Sequence, residues 1–247
     1  MPLAVPPPDI LALSRPELLN QDAFSAFGSV IENPSPSLLP NSHIELPPNA
    51  LLANQGSALK YLDVSKMRNL YGSAPSKRSG RAVMNMFVCA PRSLLPSSES
   101  NVEGHFPVVI LERHPYTTQT FIPLGLSPKE AKDARYLVIV APTLPPCPAD
   151  EHFPVPNGEG IPGSGLPDLS KARSFIAEGS QAVTYDAGTW HAPMVVAGKK
   201  PISFVVVQFV SGVAIEDCQE VEWVAEQDRG FVVAVPKEIC GSRESRL

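Results

Sequence analysis

Proline constrains this chain more than any other residue. It fills 28 of the 247 positions, roughly twice its usual share of about 5%. Inside a helix, proline removes a backbone donor and collides with the preceding turn. Long helices are therefore disfavoured over most of the chain, and strands, turns and loops must carry the fold. The apolar mass for a core is present, since 43% of the residues are hydrophobic. A single all-β domain can fill this length.

Short apolar runs separated by glycine and proline predict strands near 58–63, 82–89, 107–114, 118–124, 135–140, 172–177, 181–186, 193–197 and 202–210. A further strand starts at Gly28-Ser29-Val30-Ile31-Glu32 and ends at Asn33-Pro34. Many short strands at this spacing predict a sandwich or barrel. A helix is expected within 14–27, with Ser14 as cap and Pro16 in its first turn. Another short one is expected over 127–134, with Ser127 as cap and Pro128 first. Residues 93–106 are serine-rich and polar. Residues 141–167 hold eight prolines and four glycines. Both read as loop insertions, the second as a surface excursion rather than a lid.

The formal charge of −5 argues against a nucleic-acid partner, which would call for a basic footprint. Cys89, Cys147, Cys218 and Cys240 form no CxxC pair, so they read as reduced thiols of an intracellular protein. No apolar run reaches the roughly 18 residues of a membrane span. The N-terminal stretch lacks the basic start of a signal peptide. The ending Ser245-Arg246-Leu247 is close to the Ser-Lys-Leu peroxisomal address, which predicts a peroxisomal chain read by an import receptor, with the cytoplasm as the alternative.

Chemistry gathers in two places. In the run Val108 to His114, alternation puts Val108, Ile110, Glu112 and His114 on one strand face and Val109, Leu111 and Arg113 on the other. Arg113 is therefore left out of the site. Gln119 follows after a tight turn. The second place is Gly188-Thr189-Trp190-His191, a turn that delivers a histidine onto the next strand. A lone histidine reads as a hydrogen-bonded structural residue. Two of them, each beside a Gly/Pro turn and one next to Glu and Gln, point to a site. His43, His105 and His152 read as surface residues, and Trp190 as wall or core. Gln208 is a lone polar residue in an apolar strand, and a buried amide needs a partner, which a ligand can be. Tyr185 is a further candidate.

The spacing Glu112-x-His114-x4-Gln119-x5-Gly125, with Gly188-x2-His191, resembles the two motifs of the cupin superfamily. Glu112 stands where a histidine is usual and Gln119 where a glutamate is usual. Longer strings resemble the ureidoglycolate lyase family. They include Phe24-Ser25-Ala26-Phe27-Gly28, Asn54-x-Gly56 with Lys60-Tyr61, Glu112-Arg113-His114-Pro115, Pro167-Asp168-Leu169-Ser170, Arg173-x-Phe175-Ile176 and Trp190-His191-x-Pro193.

The resemblance implies an all-β fold with a few short helices, a cupin-type β-barrel over residues 21–225. It leaves an N-terminal extension at 1–20 and a C-terminal tail at 226–247. It implies a homodimer, a small-molecule substrate, and cleavage of (S)-ureidoglycolate to glyoxylate and urea in allantoin breakdown. It also implies a divalent metal, nickel in bacterial relatives, for which Glu112, His114, Gln119 and His191 would be the ligands. His114 and His191 are the expected base and acid, with the two roles unassigned. Lys60, near Asn54, is the expected partner of the substrate carboxylate. Gln119 would bond the urea amide or a ligated water. A cupin enzyme acting on another small 2-hydroxy or 2-keto acid, and a non-catalytic carboxylate-binding cupin, are the alternatives.

Overall fold

The computed structural model describes residues 1–7, 11–41, 45–147, 152–224 and 230–237. His43, Cys240 and Ser245-Arg246-Leu247 lie outside the described residues. Eighteen strands and three short α-helices make the described fold all-β.

The chain opens with β1 (Leu3–Ala4), β2 (Leu11–Ser14) and β3 (Glu17–Leu18), then α1 (Gln21–Phe24) and β4 (Gly28–Ile31). A hairpin follows, β5 (Ala50–Ala53) and β6 (Ala58–Tyr61), and then the long β7 (Arg81–Cys89). Next come β8 (Val102–Val108), β9 (Ile110–Arg113), β10 (Gln119–Leu124), α2 (Pro128–Asp133) and β11 (Arg135–Ala141). The second half holds β12 (Arg173–Glu178), β13 (Ala182–Tyr185), β14 (Trp190–His191), β15 (Val195–Val196) and β16 (Ile202–Val210). It closes with α3 (Ala214–Asp217), β17 (Gln219–Glu222) and β18 (Gly230–Pro236).

Two sheets face each other. One has the order β4-β13-β10-β16-β7. The other runs β1-β17-β9-β14-β11-β12-β3, with β15 also on β11. Phe121, Val183, Phe204 and Val206 of the first meet Tyr136, Val138, Val140 and Phe175 of the second in one core. This is the barrel interior expected of a cupin fold. The reverse face of the larger sheet is buried too. Leu137, Ile139, Ile176, Trp190 and Val221 pack there against Phe106, Val108, Phe231, Val233 and Val235. Those last residues come from a third sheet, β2-β18-β8. Burial on both faces explains why Tyr136–Ala141 is one unbroken apolar run rather than an alternating one.

Several expectations change. The helix placed within 14–27 is only the single turn α1, capped by Asn20 rather than Ser14. Ser14 instead ends a strand, and its hydroxyl bonds Ser174. Segments too short to hold a helix alone have been taken up as parallel partners: β2 by β18, and β3 by β12. The predicted extension at 1–20 thus supplies three strands. The insertion placed at 93–106 gives its last five residues to β8, where burial alternates residue by residue. The strand expected at 193–197 shrinks to β15, with β14 formed just before it, and β17 was not anticipated. Within the predicted tail, β18 is the middle strand of the third sheet. The turn at 127–134 forms as expected, and Ser127 and Glu130 make a reciprocal capping box.

Candidate active site

Three neighbouring strands bring the acids and histidines together. His191 of β14 lies opposite Glu112 of β9, and Glu112 lies opposite Glu220 of β17. His191 also pairs with Val140, whose side chain is in the barrel core. Cross-strand partners share a face, so His191, Glu112 and Glu220 all look into the barrel. Their sequence neighbours Trp190, Arg113 and Gln219 are buried on the reverse side. The facing sheet contributes Gln119, Tyr185 and Gln208.

Backbone carbonyls fix both imidazoles. His114 Nδ1 lies 2.6 Å from the carbonyl of Asp217, and His191 Nδ1 lies 2.8 Å from that of Thr189. A carbonyl can only accept, so each Nδ1 carries a hydrogen and donates it. Each neutral ring is left with its lone pair on Nε2. The rings sit 5.6 Å apart between centroids. The turn at Gly188, which takes φ +83°, joins the two segments, and its N–H donates to the carbonyl of His114 at 2.9 Å. Tyr185 stacks on His191 at 4.0 Å and 11°.

The Nε2 atoms differ in their company. His191 Nε2 lies 3.1 Å from Gln119 Oε1 and 3.6 Å from Glu112 Oε1. Gln119 Nε2 in turn donates to Gln208 Oε1 at 2.7 Å. A hydrogen bond between His191 and Gln119 requires one proton between them. An imidazolium held against Glu112 supplies it, and so does the amide pair turned to present N–H. His114 Nε2 is buried without a hydrogen-bond partner. Leaving such an atom unpaired costs about 1–3 kcal/mol, so it is the natural receptor for a ligand.

Burial, aided by the positive charge of His191, pushes the His114 imidazole below its ordinary value, against the pull of Glu112 and the Asp217 carbonyl. For Glu112, burial alone would raise the carboxyl. The hydrogen bond from His191 and the charges of both histidines outweigh it and hold it low. Burial beside Glu112, Glu220 and Asp217 pushes the Cys218 thiol far up, so it is no nucleophile at neutral pH.

Glu112, His114 and His191 each offer a ligand atom, all within 4.8 Å of one another. Together with the orphaned His114 Nε2, this donor set fits a divalent ion. Two nitrogens and a carboxylate suit a borderline metal such as nickel or zinc. Cys218 and Glu220 form a second such group with Glu112. These two pocket residues were missed in the sequence. Their signal was the alternation Cys218-Gln219-Glu220-Val221, which reads as a strand only once its partner is known.

Of the expected site residues, His114, His191, Glu112, Gln119, Tyr185 and Gln208 converge. Asn54 and Lys60 do not. Both are exposed on the β5–β6 hairpin, which forms a separate two-stranded sheet. The place expected for Lys60, as partner of the substrate carboxylate in the site, is therefore corrected: its strand has no ladder to either barrel sheet. His105 lies 3.9 Å from Glu99, and His152 packs on Phe153, both apart from the pair.

The family model for ureidoglycolate lyase matches residues 12–228. A ureidoglycolate lyase of Schizosaccharomyces pombe is 35% identical over 203 residues, 82% of this chain and 87% of the relative. One of Saccharomyces cerevisiae is 34% identical, covering 74% and 78%. One of Burkholderia mallei is 29% identical, covering 77% and 79%. With a match spanning the barrel, both histidine segments and β17, this chain belongs to the ureidoglycolate lyase family.

Proposed function

We propose that this chain cleaves (S)-ureidoglycolate to glyoxylate and urea, a carbon–nitrogen lyase step of allantoin breakdown. The observation that carries the reading is the buried pair of imidazoles whose ring nitrogens converge on the Glu112 carboxylate. The substrate has a carbinol carbon joined to a urea nitrogen. His114, kept neutral by burial, takes the hydroxyl proton through Nε2. The oxygen's electrons form the new carbonyl, the C–N bond breaks, and its electron pair goes to nitrogen. His191 gives a proton to that nitrogen, and Glu112 steadies the imidazolium form. Gln119 and Gln208 present amide groups to the urea end.

A metal reading has its own support in the three convergent ligand atoms. Glu112, His114 and His191 would hold a divalent ion, with Gln119 beside it. Such an ion supplies Lewis-acid polarisation of the hydroxyl or carboxylate oxygen. A ligating Nε2 has no lone pair left for a proton, so the two readings exclude each other at His114.

Urea and glyoxylate release from metal-stripped protein, with spontaneous decay subtracted, separates them. Activity without metal that is lost in His114→Gln and His191→Gln supports acid–base work by the two rings. Activity only after adding nickel, manganese or zinc supports the metal. No urea under any condition, with another 2-hydroxy acid consumed or merely bound, overturns the lyase reading. A homodimer belongs to the same proposal.

A further inference from the structure

We propose that Arg113 is a positioning residue for the catalytic side chains, acting through the proline-rich segment 153–165 as a brace behind the site. The inference rests on the lyase reading above.

On all three site-bearing strands, pocket residues alternate with buried residues of the reverse face. Glu112 and His114 flank Arg113. His191 follows Trp190. Cys218 and Glu220 flank Gln219. Arg113, Trp190 and Gln219 are each 0% exposed. They meet one another behind the site. Arg113 Nε donates to Gln219 Oε1 at 2.8 Å, and its guanidinium lies 4.4 Å over the Trp190 ring.

The same three residues grip the segment. Arg113 Nη1 donates to the carbonyl of Gly163 at 2.8 Å, and Nη2 to that of Ser164 at 3.0 Å. Trp190 Nε1 donates to Gly165 at 3.2 Å, and Gln219 Nε2 to Pro154 at 2.7 Å. Phe153 is buried against Trp190, with ring centroids 6.1 Å apart. A surface excursion has no need to point four carbonyls at buried donors. Here prolines and glycines shape a backbone that carries acceptors to strands with none to spare.

Burying a cation costs several kcal/mol unless its donors are satisfied. The guanidinium fork spans a strand, a loop and an aromatic face at once, which a point charge cannot do. It thus fixes the relative offset of β9, β14 and β17, and through their alternation the offset of Glu112, His114, His191 and Glu220. Displacement of reacting groups by about 1 Å can cost on the order of 100-fold in rate.

The test compares wild type, Arg113→Lys and Trp190→Phe. Arg113→Lys keeps the charge and loses the fork. Trp190→Phe keeps an aromatic ring but loses the bond to Gly165 and part of the face under the guanidinium. Wild-type urea release is measured first; its absence would overturn the lyase reading and not the brace. With wild type active, Arg113→Lys is expected to lower kcat on the order of 10- to 100-fold, with KM changed by less than about 3-fold. Its pH profile shifts, and Trp190→Phe gives a smaller loss in the same direction. Imidazole nitrogen NMR, which needs no turnover, should show both His114 and His191 signals moved in Arg113→Lys. Limited proteolysis should cut within 153–165 faster. Unchanged imidazole signals in a folded Arg113→Lys would overturn the brace. So would a lowered folded fraction with normal kcat per folded molecule and an unshifted pH profile.

Discussion

His114 shows how one residue's surroundings set a measurable property. Burial holds its proton affinity below the ordinary 6.5 of an exposed imidazole. Below that pH, the unfolded chain binds a proton that the folded chain refuses. Stability is therefore full above about 6.5 and falls as pH drops from there toward the lowered folded value. Melting temperatures from pH 8 to 5 should decline in wild type more than in His114→Gln; parallel declines would remove His114 as the cause. Glu220 makes a second prediction. It faces the pocket beside Glu112 and suits a urea N–H donor. Glu220→Leu is expected to raise KM about tenfold, the equivalent of a hydrogen bond to a charged group, with kcat less affected. An unchanged KM would exclude the contact. The histidines were legible in the sequence because each adjoins its own turn. Lys60 was misplaced because its position depends on where a hairpin docks, and nothing within 50–61 encodes that. Arg113 was placed correctly by parity on the reverse face, but parity could not reveal what waited there.

At the scale of elements, what is local was legible and what is shared was not. The capping box of α2 lies within four residues, so Ser127 and Glu130 announce it. The expected helix over 14–27 had comparable local credentials, yet its competitor was a strand edge more than 150 residues away. β18 is the other case. Its run Phe231-Val232-Val233-Ala234-Val235 was assigned to the tail because the family resemblance ends before it, but it pairs with both β2 and β8. Phe231, Val233 and Val235 are buried against the larger sheet. Phe231→Ala is expected to cost about 3–5 kcal/mol, read as a shift in the urea denaturation midpoint at unchanged slope. A cost under about 1 kcal/mol, typical of a surface change, would mean that β18 is dispensable. Gly28 gives a sharper test of the pairing beside Tyr185. It takes φ +151°, and a Cβ there would stand 1.9 Å from the Thr184 carbonyl oxygen. Gly28→Ala must part β4 from β13, which carries the ring stacked on His191. It is expected to lower both melting temperature and kcat, while an addition at open Gly212, Gly212→Asn, lowers neither by much.

At the scale of the whole molecule, the proline count and the spacing of strands pointed to a sandwich or barrel, because the short runs between turns are each strand-like, and the family resemblance narrowed this to a barrel. The third sheet was invisible, because its strands come from three distant parts of the chain. The same layering leaves one face of the molecule unexplained by a single copy. The larger sheet is covered on both sides, but the outer side of the five-stranded sheet is covered only around Thr120, Thr184 and Val207, where the Ser65 hydroxyl donates to Thr184. On its outer side the rows Thr120–Val207–Met84, Ile122–Val205–Met86 and Leu124–Ser203–Val88 follow from the register. Met84, Met86 and Val88 are 76%, 54% and 70% exposed. They lie on β7, which ends its sheet and so presents an unpaired ladder. A long apolar edge strand is a hazard that chains blunt with charge, or cover. Here Met84, Asn85, Met86, Phe87 and Val88 bring no charge. A second copy related by a two-fold axis would cover the edge with the same edge, antiparallel, and bury both sets of methionines. That is the surface on which the proposed homodimer is expected to form. Sedimentation at micromolar concentration should give a dimer for wild type and a monomer for Met86→Lys, whose added charge would face its own copy across the axis. Wild type sedimenting as a monomer would remove the dimer. A Met86→Lys protein that stays dimeric would place the contact elsewhere and leave β7 as an exposed edge.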